Sequence, residues 1–103
     1  MPVILVKFDE PIRDKEGLLY SAQATGRRRE DGLWEGWLEF TGMTGSTPPF
    51  HSGRETTQPN RADIEYWAQG LSKVYLEGAL ARAKASTEAS QNKGAGRESS
   101  PDA

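Results

Sequence analysis

Residues 21–40 read SAQATGRRREDGLWEGWLEF, and the way this stretch turns back on itself decides the fold. Its two arms belong to strands at about 18–28 and 33–41. Successive side chains on a strand point to opposite faces, so Tyr20, Ala22, Ala24 and Gly26 share one side, and Ser21, Gln23, Thr25 and Arg27 the other. A two-residue Asp31-Gly32 turn pairs Glu30 with Leu33 and sets the small apolar face beside Glu35, Trp37 and Glu39. A three-residue turn, Glu30-Asp31-Gly32, pairs Arg29 with Leu33 and puts Gly32 in the left-handed position of a bulged hairpin. Ala24 then opposes Leu38, Ala22 opposes Phe40, and Gly26 opposes Gly36. On the reverse face Arg27 meets Glu35, Thr25 meets Trp37, and Gln23 meets Glu39. A one-residue slip would exchange the faces, so the matched register is the one predicted. Trp34, opposite Arg28, falls on the core side near its end, and Trp37 falls on the polar side.

The hairpin needs a further strand and a cover. VILVKF, residues 3–8, supplies the strand, and its four consecutive branched apolar residues predict burial on both faces. The loop DEPIRDKEG follows, closed by Gly17. Residues 42–61 are rich in Gly, Thr and Pro and read as loop, with GRETTQ a candidate short fourth strand. The cover is a helix with Asn60 as N-cap, Asp63 in a capping-box-like position, and Pro59 and Ile64 placed as a hydrophobic staple. It is predicted to run unbroken to about residue 85, with Ile64, Trp67, Ala68, Leu71, Val74, Tyr75 and Ala79 as its apolar face. Glu65, Gln69 and Lys73 mark the wet side, and Lys73 can pair with Glu77. Gly70 and Gly78 each cost about 1 kcal/mol against alanine inside a helix, so both are read as points of close packing. From Thr87 onward, TEASQNKGAGRESSPDA offers no large apolar side chain and predicts a disordered tail over 87–103. The fold class is therefore α+β: one domain over 1–86, an antiparallel meander of three or four strands packed by one long C-terminal helix.

A domain of that size buries about 60–65% of its unfolded surface, which makes it marginal alone and favours oligomerisation. The absence of cysteine excludes disulfides, cysteine-ligated zinc and thiol catalysis. VILV lacks a basic flank and a small-residue cleavage site, so it reads as strand and not as signal peptide. No window approaches the roughly 18 apolar residues of a membrane span, and a cytoplasmic location is expected. Residues 1–86 carry eleven Lys or Arg against twelve Asp or Glu, which removes the long-range pull of a general nucleic-acid binder.

Residues that could carry chemistry are few. His51, the only histidine, sits in a loop beside Pro48, Pro49 and Phe50, with no pattern to supply a base–orienter pair. No metal-ligand spacing or phosphate loop is present, and neither metal nor cofactor is expected. Glu35 and Glu39 share a face about 13 Å apart at ~3.3 Å per residue, wide for a glycosidase pair. Arg27, Arg28 and Arg29, with Trp34 and Trp37 near, could form a platform for single-stranded nucleic acid. An ion-paired edge with a cation–π contact over Trp34 explains the run as well, and Glu30, Asp31, Glu35 and Glu39 weaken phosphate attraction. Arg54 and Arg61, flanking the Thr-rich RETTQPNR, offer planar forks for a carboxylate or phosphate, against a structural reading as edge strand and helix cap with Arg54 pairing Glu55.

Two features lack a home in a monomer: Trp37 on its polar face, and a second helical stripe of Leu76, Leu80 and Ala83. A lone aromatic within a polar rim has the composition of an interface hot spot, unless the 43–52 loop with Phe50 folds over it. WEGWLEF, RETTQPNR and the YWAQGL helix together resemble small bacterial proteins of unassigned function over residues 1–86, a resemblance that carries over no activity and no functional residue. The leading expectation is a non-enzymatic module that docks a protein or dimerises through Trp37, Leu76 and Leu80. Nucleic-acid binding through Arg27–Arg29, disfavoured by the charge balance, and a small-ligand pocket near His51, Arg54 and Arg61 are the alternatives.

Overall fold

Gly32 adopts φ +88°, Gly32 N donates to Arg29 O at 3.0 Å, and Arg29 N donates to Leu33 O at 2.7 Å. This is the three-residue bulged turn, and it delivers the register in full, from Arg28 opposite Trp34 through Ala24 opposite Leu38 to Ala22 opposite Phe40. The structure, a computed structural model, describes residues 1–44 and 49–99, with side chains described as far as Thr87. Six strands, β1 (Val3–Lys7), β2 (Ile12–Arg13), β3 (Leu19–Arg28), β4 (Trp34–Gly42), β5 (Phe50–His51) and β6 (Thr56–Gln58), form one antiparallel sheet. β1 and β2 share the outer edge of β3, and β5 and β6 share the outer edge of β4, so the six strands occupy four tracks. The short strand expected within GRETTQ is β6, opposite Trp34, Glu35 and Gly36.

A second turn of the same kind joins β2 to β3. Gly17 lies at φ +90°, Gly17 N donates to Asp14 O, and Asp14 N donates to Leu18 O. Between β5 and β6 the ladder is carried by Ser52, whose N–H donates to Leu38 O at 2.8 Å and whose hydroxyl accepts from Leu38 N at 3.0 Å.

The doubly buried first strand needs correction. The register shifts between Ile4 and Val6, so Leu5 is the extra residue of a bulge. Leu5 and Val6 both pack against the core, whereas Ile4 stands half exposed on the reverse face. Four apolar residues in a row here mark a bulge, with only one face covered by helix.

The single long helix is also corrected. α1 (Arg61–Gln69) stops at Gly70, and α2 (Lys73–Ser99) begins after Ser72. Asn60 caps α1 through its Oδ1, which accepts from Asp63 N at 2.9 Å. Ser72 caps α2 in the same manner, its Oγ accepting from Tyr75 N at 3.1 Å. The break resets the helical phase. Val74, expected inside, is 77% exposed, while Leu76, Ala79, Leu80 and Ala83 form the buried face. The stripe read as surplus is the real packing surface of α2. The α2 backbone continues through Ser99 into the stretch where a tail is expected; residues 100–103 lie outside the described ones.

The glycines that allow close approach are in the sheet, not the helix. A Cβ on Gly36 would stand 2.8 Å from Trp67 Cζ3 and 3.1 Å from Ile64 Cδ1, and one on Gly26 would meet Leu5 Cδ1 at 3.0 Å. These opposed glycines form a hollow into which α1 lowers Ile64 and Trp67. Gly78, by contrast, faces only Arg82 Nη1 at 3.7 Å. Gly36→Ala is therefore expected to destabilise by about 1–3 kcal/mol, since Trp67 and Ile64 are packed against the sheet and cannot retreat freely. Gly78→Ala is expected to stabilise by about 0.5–1 kcal/mol through helix propensity. Urea denaturation of both variants checks the opposite signs.

Candidate functional site

Both helices pack on the face of the sheet that carries Ala22, Ala24, Leu38 and Phe40. Among the described residues no helix or strand packs on the reverse face. Across β3 and β4 that face presents four rows: Gln23 beside Glu39, Thr25 beside Trp37, Arg27 beside Glu35 and, at the far end, Ser21 beside Thr41. Lys7 and His51 extend the first row at either edge, Ile4 extends the second, and Thr57 extends the third.

Trp37 is half-buried and held in place. Its Nε1 donates to Glu39 Oε2 at 2.9 Å, and Gln23 Nε2 donates to Glu39 Oε1 at 2.9 Å. Thr25 beneath it is 4% exposed, and its Oγ1 has no hydrogen-bond partner. Phe50, the aromatic expected to fold over Trp37, packs on the opposite face against Tyr20, with ring centroids 6.0 Å apart. The rest of that loop includes residues 45–48, outside the described ones.

The other predicted residues divide. Leu76 and Leu80 are 3% and 0% exposed, so they cannot bind a partner; they hold α2 to the sheet. Arg27 is ion-paired with Glu35, as the register requires, and Arg29 pairs with Asp31 at 3.0 Å. Arg28, opposite Trp34, points to the other face at the hairpin end. The cation over Trp34 is Arg61, 5.6 Å from the ring centroid, which also pairs with Glu65 at 3.0 Å. Arg54 lies with His51, Arg27 and Glu35 around a shallow depression beside Trp37. Arg54 and Arg61 therefore do not line one pocket. His51 Nδ1 lies 3.3 Å from the Ser52 carbonyl, and its ring is exposed. No group of three metal-ligating side chains occurs among the described residues, and no described helix is long and apolar enough to cross a membrane.

Sequence reasoning missed two clusters of titratable groups, both of which clamp α2. Asp14, its side chain 3% exposed, accepts from the N–H groups of Glu16 and Leu18 through Oδ1 and from Lys84 Nζ at 2.6 Å through Oδ2. Lys84 also stands 5.9 Å above the Tyr20 ring. At the other edge Glu55, expected to pair with Arg54, accepts from the Tyr75 hydroxyl and from Arg82 Nη2 at 2.8 Å. These partners lie far apart in sequence, and only the folded arrangement of α2 brings them together. A cleft of about 600 Å³ beside the first clamp is lined by Val74, Gly78 and Ala81 and by the charged Arg13, Lys15, Glu16 and Glu77, with Asp14 and Lys84 satisfying each other at its side.

Burial alone would raise the Asp14 carboxyl, but Lys84 and the two N–H donors outweigh it and hold its pKa below the ordinary value. The Asp14 hydrogen bond raises Lys84 against the opposing pull of burial. Burial, and then the Glu55 carboxylate, raise Tyr75. The depressed Asp14 contributes stability that is present at neutral pH and lost as pH falls below about 4 through its folded value. The raised Lys84 and Tyr75 act in the other direction, their contribution lost as pH climbs above about 10. Lys84→Met is expected to cost about 1–3 kcal/mol at neutral pH and to shrink both the acid and the alkaline losses. Urea denaturation across the acid, neutral and alkaline ranges measures all three.

Compared with known protein families, curated proteins and solved structures, the chain matches none, so its function is read from the face itself.

Proposed function

We propose that the chain is a non-enzymatic interaction module that docks a protein partner, or a second copy of itself, through the face of the sheet centred on Trp37. The observation that carries this reading is the placement of both helices on one side while a tryptophan, pinned by Glu39, stands on the other. An aromatic held in one orientation loses little entropy on binding, and a rim of Gln23, Arg27, Glu35 and Glu39 around it has the make-up of a hot spot with a polar border. A cytoplasmic setting goes with this reading, in keeping with a chain that has no cysteine.

Nucleic-acid binding has less support. Two of the three consecutive arginines are already engaged by Glu35 and Asp31, so phosphate contacts would have to displace an existing carboxylate. A single anion pocket has less still, because Arg61 caps Trp34 beside α1 while Arg54 lies near Trp37.

The test is Trp37→Ala in the full chain. The variant is expected to keep its circular dichroism spectrum and cooperative melting while weakening association by about 30-fold or more, the loss of a hot spot worth ~2 kcal/mol. Tyr66→Ala removes an aromatic that is 81% exposed on α1, and it serves as the control that should change nothing. Self-association is read by light scattering, and partner binding by retention of lysate proteins on the immobilised wild type compared with each variant. Unfolding of Trp37→Ala, or association equal to wild type in both assays, would overturn the reading.

A further inference from the structure

We infer that the occupant of the Trp37 face is a second copy of this chain, stacked face to face about a two-fold axis that runs along the strands between β3 and β4. The inference rests on the docking reading above and names its partner.

The cross-strand pairing carries it. Each row of the face sets a residue of β3 directly beside its mate on β4: Gln23 with Glu39, Thr25 with Trp37, Arg27 with Glu35. A two-fold axis parallel to the strands and midway between β3 and β4 lays β3 of one copy over β4 of the other, in the same rows. Arg27 then faces the second copy's Glu35, Gln23 faces its Glu39, and Thr25 faces its Trp37. Within these rows of β3 and β4 every charge meets an opposite charge or an amide across the interface, twice by symmetry, while at the rim Lys7 falls over the second copy's His51. The perpendicular in-plane axis, crossing the strands at Trp37, gives the reverse outcome. It sets Glu35 over Glu39 of the second copy and leaves Arg27 over Gln23. Like charges facing one another select against that arrangement.

The centre of the face suits a dry contact. Thr25 is already buried between Ile4 and Trp37, with a hydroxyl that bonds to nothing among the described residues. With β4 nine residues long, four tracks of strand give a face of about 30 by 19 Å. Side chains at its rim bring this near the roughly 800 Å² per partner of a standard interface. Stacked sheets pack ~10 Å apart with a shallow crossing angle, which leaves room for the two tryptophans to lie side by side. Edge-to-edge pairing is the competing route to a dimer, and this sheet blocks it at both borders. β1 is kinked by the bulge at Leu5, and the β5–β6 track is interrupted at Gly53 and Arg54.

The experiment is a charge swap in the full chain. Arg27→Glu alone makes the face acidic, and Glu35→Arg alone makes it basic. Wild type is expected to be a dimer by light scattering over a tenfold concentration range. Each variant alone should shift to monomer, with association weakened at least tenfold. An equimolar mixture should restore a one-to-one heterodimer, since the acidic face now meets the basic one. Because the chain has no cysteine, Gln23→Cys mixed with Glu39→Cys offers an independent reading in otherwise wild-type faces. A short bis-maleimide should link the mixture and, because the same row is shared by both copies, each variant alone as well, whereas the perpendicular arrangement sets the two position-23 side chains four residues apart along the strands. A wild type that stays monomeric overturns this inference, and the docking reading then survives only through Trp37-dependent capture of another protein. A dimer indifferent to both swaps and to the cysteine pairing overturns it as well, by placing the interface elsewhere.

Discussion

The constraint on which the rest of the structure depends is the seating of Ile64 and Trp67 in the hollow left by Gly26 and Gly36. Two glycines can face each other across β3 and β4 only in the register set by the Gly32 turn. A larger side chain at Gly36 would press on Trp67 and Ile64 of α1, and one at Gly26 would press first on Leu5 of β1; α1 is what directs the chain toward the second half of that face. The hollow therefore turns a local event, a left-handed glycine in a hairpin, into a global one: both helices fall on the same side. Exposure of Trp37 on the reverse side follows from where the glycines are, since the residues between them in each strand point the other way.

A helix layer made of two separate pieces needs something to fix the second piece, and two buried carboxylates provide it. Asp14 belongs to the turn before β3 and Glu55 to the loop before β6, so they stand at opposite borders of the sheet. Lys84 reaches the first, and Tyr75 with Arg82 reaches the second. α2 is thus tied at both borders while Leu76, Leu80 and Ala83 press on the sheet between. Removing one partner would leave the other charge buried without compensation, which makes these pairs more costly to break than exposed ones. That role also accounts for their chemistry. The most deeply placed carboxylates, Asp14 and Glu55, are occupied in holding α2.

Much of this was legible in the sequence where a period and a turn constrain each other. Alternation alone leaves two registers for the hairpin, and Gly32 selects one, so all the β3–β4 pairs could be written down beforehand. The helix break was legible only in part. Gly70 is a stop signal and Ser72 a start signal, yet apolar spacing that continues through Leu71 and Val74 masks both. The phase error that follows is what made Leu76 and Leu80 look surplus. The Leu5 bulge and the Asp14–Lys84 pair were not legible, because the first depends on how β3 twists beneath β1 and the second joins residues 70 apart. Local spacing offered Glu55 an adjacent arginine, and tertiary packing gave it Arg82.

In the dimer we propose, the outer face meets two demands that usually conflict, and its cross-strand pairing shows how. A monomer must keep the face tolerable in water, which favours charges and amides that satisfy one another along the sheet. An interface must bury it without stranding a charge. Because the partners lie side by side on adjacent strands, a two-fold between those strands reuses the same pairs across the interface, and Arg27 gains a second carboxylate without losing its first. In the proposed dimer, association would desolvate an Arg27–Glu35 pair already neutralised in the free chain and a Glu39 carboxylate already hydrogen-bonded by Gln23 and Trp37. That lowers the desolvation penalty that makes buried ion pairs a poor source of affinity. The net gain in that dimer would fall to Trp37, whose ring is already held by Glu39 and so would give up little freedom under a second face.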